Sequence, residues 1–210
     1  MAYKPTVVFL NGQYWGIHNM REKIGKWYVG DNHPEVDFEN MDLLVDNFIT
    51  IEGDYVHYWH MIDFLEHTMV FGEQDYDSLQ QLLDIKNYTD YFIAEMYYCN
   101  VDWPNNNIKY WREKEEGSRW RYIMYDLDPG MGHFGPQSYN MLNKVLNTNI
   151  PYTHNHIILR RMLQYGEYEK DFINRFADML NTIFRPENVQ SSIDSVLMQI
   201  NATLLRLRHC

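Results

Sequence analysis

Residues 100–132, NVDWPNNNIKYWREKEEGSRWRYIMYDLDPGMG, combine a β-hairpin pattern with acidic and amide side chains on both sides of it. Two β-rich runs flank the segment KEEGS, whose glycine and polar residues favour a turn. If Asn107 and Asp126 mark the open end of this hairpin, its midpoint falls within KEEGS. Antiparallel pairing then brings position 107 beside position 126, and Asp102 on the preceding loop can reach the same place. The stretch therefore predicts that side chains 24 positions apart converge on one site.

The spacing of these polar residues matches the catalytic and magnesium-binding loops of protein kinases. In kinases an Asp orients the acceptor hydroxyl and accepts its proton, while an Asn five residues later and a further Asp hold the metals that bridge the nucleotide phosphates. Asp102 and Asn107 have that spacing, and the run from Asp126 to Gly130 stands where the kinase Asp-Phe-Gly would be. Asn100-Val101 replaces the kinase His-Arg. Because carboxylate and amide oxygens suit hard cations, the pattern predicts metal-dependent phosphoryl transfer.

The rest of the chain predicts an α+β protein of one domain, residues 1–210, in which helices outnumber strands. The run TVVFLNGQYWGIHNM contains two β-rich segments around Asn11-Gly12, a dipeptide that favours a tight hairpin turn. Asn87 is expected to cap a helix over residues 87–100. Two earlier helices are expected at 54–71 and 75–84, and the Gly-, Pro- and Asn-rich segment 133–152 predicts a loop.

The C-terminal part of the chain carries apolar residues at helical spacing, which predicts two helices with core-facing stripes. The first stripe comprises Phe172, Phe176, Met179, Leu180 and Ile183. The second comprises Ile193, Val196, Leu197, Ile200, Leu204 and Leu207. We therefore expect both helices to contribute to the core.

The net charge of the chain is −11, since 18 Lys and Arg stand against 29 Asp and Glu. An acidic surface does not attract a phosphate backbone, so nucleic-acid binding is not expected; cations and basic partners are favoured instead. The sequence contains no run of 18 apolar residues, so no membrane-spanning segment is predicted. The two cysteines, Cys99 and Cys210, do not form a disulfide framework and leave the compartment undetermined.

Three blocks of the sequence together resemble the CotH family of atypical kinases, which are associated with spore coats and cell envelopes. The blocks are VVFLNGQYWGIHNMREKI, NVDWPNNNIKYWR and RYIMYDLDPGMG, and FINRFADMLNTIFRPENV is similar to the C-terminal part of bacterial members. The resemblance implies a kinase-like fold with a mostly helical C-lobe and two β-hairpins. It also implies ATP with Mg²⁺ or Mn²⁺, phosphorylation of serine hydroxyls in a protein substrate, and a cell-envelope, spore-coat or secreted location.

The resemblance assigns roles to individual residues of the 100–132 stretch. It implies that Asp102 is catalytic and that Asp126 binds metal, with Asp128 as a further candidate ligand. The kinase spacing adds Asn107 as a metal ligand. Asn106 is the alternative, because the run NNN leaves the register open by one residue.

The nucleotide side of the site is expected to involve the N-terminal part of the chain. Glu22, in REKI after the first hairpin, resembles an acidic residue of the family and is expected to contact the cofactor, through a phosphate-binding lysine or the metal. Relatives carry upstream strands with Arg and Lys side chains that contact the phosphates, and this chain begins after them. We therefore expect a fragment with a truncated N-lobe, in which Lys4, Lys23 and Lys26 are not convincing substitutes for the phosphate-binding lysine.

Two other functions fit parts of the same pattern. A kinase-like fold could be retained as a non-enzymatic interaction module of an envelope or spore coat. A metal-dependent glycosyltransferase would use Asp126 and Asp128 as its D-x-D motif, and nucleotide choice separates it from a kinase. His57 and His60 could ligate zinc from one helix face, although packed or solvated histidines are the expected alternative.

Overall fold

The computed structural model describes residues 3–136, 138–147 and 154–207. Over these residues the chain forms six strands and eight helices, which confirms the predicted α+β class. The strands are β1 (Tyr3–Leu10), β2 (Gln13–Arg21), β3 (Met41–Val45), β4 (Ile49–Glu52), β5 (Lys109–Glu113) and β6 (Arg121–Ile123). The helices are α1 (Lys26–Asn32), α2 (Val56–His67), α3 (Glu73–Leu82), α4 (Ile85–Tyr98), α5 (Met141–Leu146), α6 (His154–Met162), α7 (Gly166–Asn181) and α8 (Pro186–Leu207). Every helix in this part of the chain is too short or too polar to cross a bilayer.

The chain divides into two compact units, and the larger one, residues 25–175, contains an antiparallel sheet in the order β4-β3-β5-β6. The hairpin predicted around KEEGS is β5–β6, in which Lys109 lies opposite Ile123 and Trp111 opposite Arg121. Continuing this register places position 107 opposite position 125, one residue away from the predicted alignment. The expected hairpin is thus present with a register one residue from the expected one.

A third hairpin, β3–β4, makes the expectation of two hairpins wrong. Strand β3 pairs with β4 on one side and with β5 on the other, so its backbone lies inside the sheet. Asp42 interrupts the apolar sequence of β3 and is nevertheless buried, because it forms ion pairs with Arg112 (Nε to Oδ2, 3.1 Å) and Lys114 (Nζ to Oδ1, 3.2 Å). Since β3 is buried at four successive positions, its sequence lacks the alternation that identifies a half-exposed strand.

Helix α4 is fixed alongside β6 by side chains of its first turn. The prediction that Asn87 caps this helix is wrong: the cap is Asp84, whose carboxylate accepts hydrogen bonds from Asn87 N (3.1 Å) and Arg121 Nε (3.2 Å). The Asn87 side chain instead binds the backbone of Tyr122, accepting from its N at 2.6 Å and donating to its O at 3.2 Å. The helix starts earlier than expected because Leu83 forms a bridge with Trp120 just before it.

The core between the sheet and the helices is built from aromatic rings. Tyr58 stacks on Tyr110 with ring centroids 4.2 Å apart, and its hydroxyl shares a hydrogen bond of 2.7 Å with the hydroxyl of Tyr122. On α4, Tyr88 stacks on Phe92 at 4.2 Å. All of these rings are buried. The packed rings hold β5, β6 and α4 in fixed positions relative to one another.

Helix α5 lies inside the segment 133–152, so the prediction of a loop there is wrong for residues 141–146. Asn140 caps this helix, since its Oδ1 accepts a hydrogen bond of 2.8 Å from Asn143 N. A helix of six residues is too short for its periodicity to stand out among Gly, Pro and Asn. Residues 148–152 lie outside the described residues.

The smaller unit comprises residues 1–24 and 176–210, and its sheet is the two-stranded ribbon β1–β2. The predicted hairpin is confirmed: Leu10 lies opposite Gln13, and Asn11 and Gly12 have φ angles of 50° and 79°. These positive angles are those of the type I′ turn that an Asn-Gly pair favours.

The C-terminal stripes are buried less than predicted. In the first stripe Phe172 and Met179 are buried, whereas Leu180 and Ile183 are exposed. In the second stripe the prediction is wrong for Ile193, Val196, Leu197 and Leu204, whose side chains are exposed to between 38% and 50%. Helical spacing shows that a helix has an apolar side but does not show what covers it. The side chain of Leu207, like all of Cys210, lies outside the described residues.

Candidate functional site

The loop that carries Asp102 begins where α4 ends. Cys99 caps the helix in the left-handed conformation, with φ 53°, and turns the chain away from the helix axis. The Asp102 carbonyl oxygen then accepts hydrogen bonds from the backbone N atoms of Asn105 (3.3 Å) and Asn106 (3.2 Å). These bonds close residues 102–106 into a tight turn, on which the Asp102 side chain is exposed.

The loop that carries Asp126 directly follows β6, with Asp126 three residues after the strand, and it is held against the end of α4. Asp126 is left-handed, with φ 53°, and its side chain is exposed. Farther along, Met131 N donates a hydrogen bond of 2.6 Å to Tyr98 O. A Cβ atom on Gly130 would lie 2.6 Å from the same Tyr98 oxygen, so this close approach requires glycine. Asp128 is also exposed on this loop.

The structure brings Asn107 next to Asp126. Asn107 is left-handed, with φ 64°, and its Nδ2 donates a hydrogen bond of 3.4 Å to the carbonyl oxygen of Asp126. The next residue, Ile108, exchanges two hydrogen bonds with Asp46 in the β3–β4 turn: Asp46 N donates to Ile108 O at 2.9 Å, and Ile108 N donates to Asp46 Oδ1 at 3.3 Å. The missed hairpin therefore supports the position of Asn107.

A buried amide, Asn100, links the Asp102 turn to the Asp126 loop. Its Oδ1 accepts a hydrogen bond of 3.3 Å from Asp102 N, and its Nδ2 donates to Asp126 O at 3.3 Å and to Glu95 Oε2 at 3.0 Å. The residue is fully buried. Two loops that are 24 residues apart in sequence are thus joined through one side chain.

This arrangement follows from the course of α4. From Asn87 to Glu95 the helix rises about 12 Å, and the four residues from Tyr122 to Asp126 span at most about 13 Å. The two segments are in contact at Asn87 and Tyr122 and advance by similar lengths from there, and at the far end Asn100 links Glu95 to Asp126.

Glu95 is a fully buried carboxyl group beside the site. Burial raises its pKa to about 8, the hydrogen bond from Asn100 opposes that rise, and the negative charge of Asp126 adds to it. At neutral pH this carboxyl is therefore mostly protonated and neutral.

Lys144, from α5, places a buried ammonium group behind the Asp102 turn. Its Nζ donates hydrogen bonds to Val101 O and to Trp103 O, the latter at 2.7 Å, so it binds the carbonyl groups on both sides of Asp102. Burial lowers the pKa of Lys144, and the negative charge of Asp102 opposes that change. The turn is therefore held from behind by a positive charge.

The donor set of the site fits a hard cation. Because Asn107 uses its Nδ2 to bind the backbone of Asp126, the atom it can offer to a cation is its side-chain carbonyl oxygen, and Asp126 offers an exposed carboxylate. The described part of the chain contains no group of three His, Cys, Asp or Glu placed to hold a metal by themselves. Mg²⁺ is usually bound by one or two carboxylates together with substrate phosphates and water, so a site of this composition would need such further ligands to hold it.

Two of the predicted features belong to other segments of the chain. Glu22 directly follows β2 in the smaller unit, with its side chain half-buried, and its role stays a prediction. His57 accepts a hydrogen bond of 3.0 Å from Trp120 Nε1 through its Nδ1, so it is packed against the core, as the alternative to zinc binding predicted.

Asn100, Glu95, Lys144 and Asp46 were not identified from the sequence. Glu95 could have been noticed in the sequence, because it is an acidic residue inside the apolar run FIAEM. Asn100 was noted only as a departure from the kinase pattern, and Lys144 lay in a segment expected to be a loop. Their roles depend on contacts between distant segments.

Comparison with known proteins gives one family. A family model described as CotH kinase protein matches residues 1–207 of the chain. The comparison with curated proteins finds no match.

Proposed function

The chain belongs to the CotH kinase protein family, and from this premise we propose that it transfers the γ-phosphate of ATP to serine hydroxyls of a protein substrate, with Mg²⁺ or Mn²⁺. We further propose a kinase-like fold in which the larger unit carries both the catalytic and the metal-binding loops. The observation that supports this most is the junction at Asp126 O, where the side chains of Asn100 and Asn107 both donate. Asn100 ties the same junction to Asp102 N.

Asp102 is proposed as the catalytic carboxylate. Its side chain is exposed while its backbone is held by Asn100, Asn105 and Asn106, so the carboxylate is accessible on a fixed turn. Such a group can orient a serine hydroxyl and accept its proton as the phosphorus–oxygen bond forms. The two bonds from Lys144 to the neighbouring carbonyl groups restrain the turn during transfer.

Asp126 and Asn107 are proposed to bind the divalent cation, with Asp128 as a further ligand from the same loop. A cation bound together with ATP neutralises charge on the phosphate oxygens. The hydrogen bond from Asn107 to Asp126 favours Asn107 over Asn106, whose backbone N belongs to the Asp102 turn. Glu22 remains a proposed cofactor contact.

The experiment that tests this function measures transfer of labelled phosphate from ATP to a serine-rich protein acceptor, with Mg²⁺ or Mn²⁺, and separately measures binding of a manganese–ATP analogue. We expect Asp102→Asn to lower kcat by ~10²–10⁴-fold while the analogue still binds. We expect Asp126→Asn to weaken both transfer and binding. Asp77→Asn, at an exposed position of α3, is the control for the loss of one negative charge.

The alternatives give different results in the same assays. Ordinary turnover by Asp102→Asn would remove Asp102 from the mechanism. Binding of a sugar nucleotide in preference to ATP would favour a glycosyltransferase. Absence of both transfer and metal-dependent nucleotide binding in the wild type would favour a non-enzymatic interaction module.

A further inference from the structure

We infer that Asn100 is a positioning residue, which fixes the Asp102 turn and the Asp126 loop in a single arrangement. The inference rests on the proposed function for its catalytic consequence. Its structural part, the coupling of the two loops through one buried side chain, stands on the hydrogen bonds alone.

The three partners of Asn100 come from three different segments. Glu95 belongs to the last turns of α4, Asp102 to the turn that follows, and Asp126 to the loop after β6. The amide donates twice through Nδ2 and accepts once through Oδ1. Its polar atoms are therefore paired although the residue is fully buried, which is the condition under which a buried polar group stabilises one conformation.

The chemistry of the partners allows only one orientation of the amide. Asp102 presents an N–H group, whereas Asp126 presents a carbonyl oxygen and Glu95 a carboxyl oxygen. A flipped amide would place its NH₂ group against the Asp102 N–H donor and its oxygen against the Asp126 carbonyl oxygen. The two backbone groups therefore fix the orientation, and Glu95 Oε2 accepts a further hydrogen bond of 3.0 Å from Nδ2.

No other common side chain reproduces these contacts. Aspartate has the same shape but no donor, glutamine is one methylene longer, and leucine has no polar atom. Asn107 also donates to Asp126 O, but from a position that is not buried, and among the described residues no hydrogen bond joins its side chain to Asp102. The separation between the proton-accepting carboxylate and the metal-binding carboxylate therefore depends on Asn100.

The first experiment compares Asn100→Ala with Asn87→Ala. Asn87, in the first turn of α4, is a matched control because its side chain, like that of Asn100, makes two hydrogen bonds to backbone groups, in this case both on Tyr122. We expect both variants to be less stable to urea. Only Asn100→Ala is expected to lower kcat, by about 10–100-fold, with a smaller change in the KM for ATP, as for other residues that orient a metal ligand.

Hydrogen exchange supplies a readout that does not depend on activity. Peptides covering residues 100–107 and 124–131 should exchange faster in Asn100→Ala than in the wild type, and should not do so in Asn87→Ala. Unchanged exchange in both peptides would overturn the inference even if the wild type transfers no phosphate. Faster exchange together with an inactive wild type would support the coupling and count against the proposed function alone.

A swapped pair separates positioning from simple stability. In the double variant Glu95→Gln with Asn100→Asp, a donor on position 95 faces an acceptor on position 100, which restores the bond between them and the acceptor for Asp102 N. The bond to Asp126 O cannot be restored, because a carboxylate has no N–H group. We expect the double variant to be more stable than Asn100→Asp alone while kcat stays at least tenfold below that of the wild type.

Two outcomes would contradict the inference. One is a wild-type kcat in the swapped variant, since the residue would then be needed only for folding. The other is an equal loss of kcat in Asn100→Ala and Asn87→Ala at equal loss of stability. If Asn100→Ala does not fold, the swapped variant and its exchange in residues 124–131 decide the question.

Discussion

Replacing Glu95 by glutamine should make the protein more stable at alkaline pH and leave it nearly unchanged at acid pH. Glu95 is fully buried, and burial raises its pKa from 4.5 to about 8. The folded protein therefore keeps a proton on this carboxyl between pH 4.5 and pH 8, whereas the unfolded chain releases it. Since the folded state binds more protons in this window, its stability falls as the pH rises. Glutamine resembles the protonated form and carries no such cost.

The magnitude follows from the same two values. Each pH unit within the window corresponds to about 1.4 kcal/mol, so the loss in the wild type reaches about 5 kcal/mol above pH 8. Below pH 4.5 the carboxyl is protonated in both states, and the substitution has little effect. A loss of this size is large beside a total stability of about 5–15 kcal/mol for a folded protein.

The assay is urea unfolding of wild type and Glu95→Gln at pH 5, 7 and 9, with the difference in the free energy of unfolding as the measured quantity. The difference should be below about 1 kcal/mol at pH 5 and should grow with pH in favour of the variant. Glu116→Gln, in the exposed turn between β5 and β6, controls for the loss of one negative charge. A pH-independent difference, or one that favours the wild type at pH 9, would refute the reasoning.

Two further substitutions test the contacts that hold the loops. Lys144→Met keeps the apolar stem but removes the hydrogen bonds to Val101 O and Trp103 O. We expect the free energy of unfolding in urea to fall by about 2 kcal/mol and hydrogen exchange in residues 100–107 to become faster. A gain in stability would mean that the cost of burying the ammonium group outweighs its hydrogen bonds. Gly130→Ala places a Cβ atom 2.6 Å from Tyr98 O and should lower the free energy of unfolding in urea by about 1–3 kcal/mol. Gly72→Ala is the control, because the new atom there has open space around it. Equal losses of stability in the two variants would contradict the close approach at Gly130.

The parts of the fold that the sequence predicted well are those set by neighbours in the chain. Asn11-Gly12 specifies its turn by its own backbone preferences, and KEEGS marks the turn of β5–β6 in the same way. Strand β3 was not predicted, because a strand inside a sheet has no alternating pattern. The prediction that the second C-terminal stripe is buried failed for the opposite reason. Its helical spacing was clear, but spacing does not show which other element covers the apolar side.

The sequence identified the solvent-accessible residues of the candidate site but not its buried residues. Asp102, Asn107 and Asp126 could be selected because their spacing resembles that of kinase loops, and the structure places Asn107 beside Asp126. The link through Asn100 and Glu95 could not be found in this way. Whether an asparagine in a loop is solvated or buried among three partners depends on how α4 and β6 align, which no local pattern reports.

Cys99, Asn107 and Asp126 have left-handed backbone conformations, which glycine adopts more easily than these residues do. At positions 107 and 126 the residue that is best for stability therefore differs from the residue that the proposed chemistry needs. Glycine adopts this region freely, whereas a side chain there costs up to about 1–2 kcal/mol, least for Asn and Asp. A directed-evolution screen for heat resistance alone should therefore enrich glycine at positions 107 and 126, and each gain would delete one of the oxygen ligands that we propose for the cation. Variants recovered in this way would survive heating yet lose metal-dependent nucleotide binding, which is the usual trade-off between stability and activity. A screen that retains function should leave both positions unchanged and find its stabilising changes elsewhere.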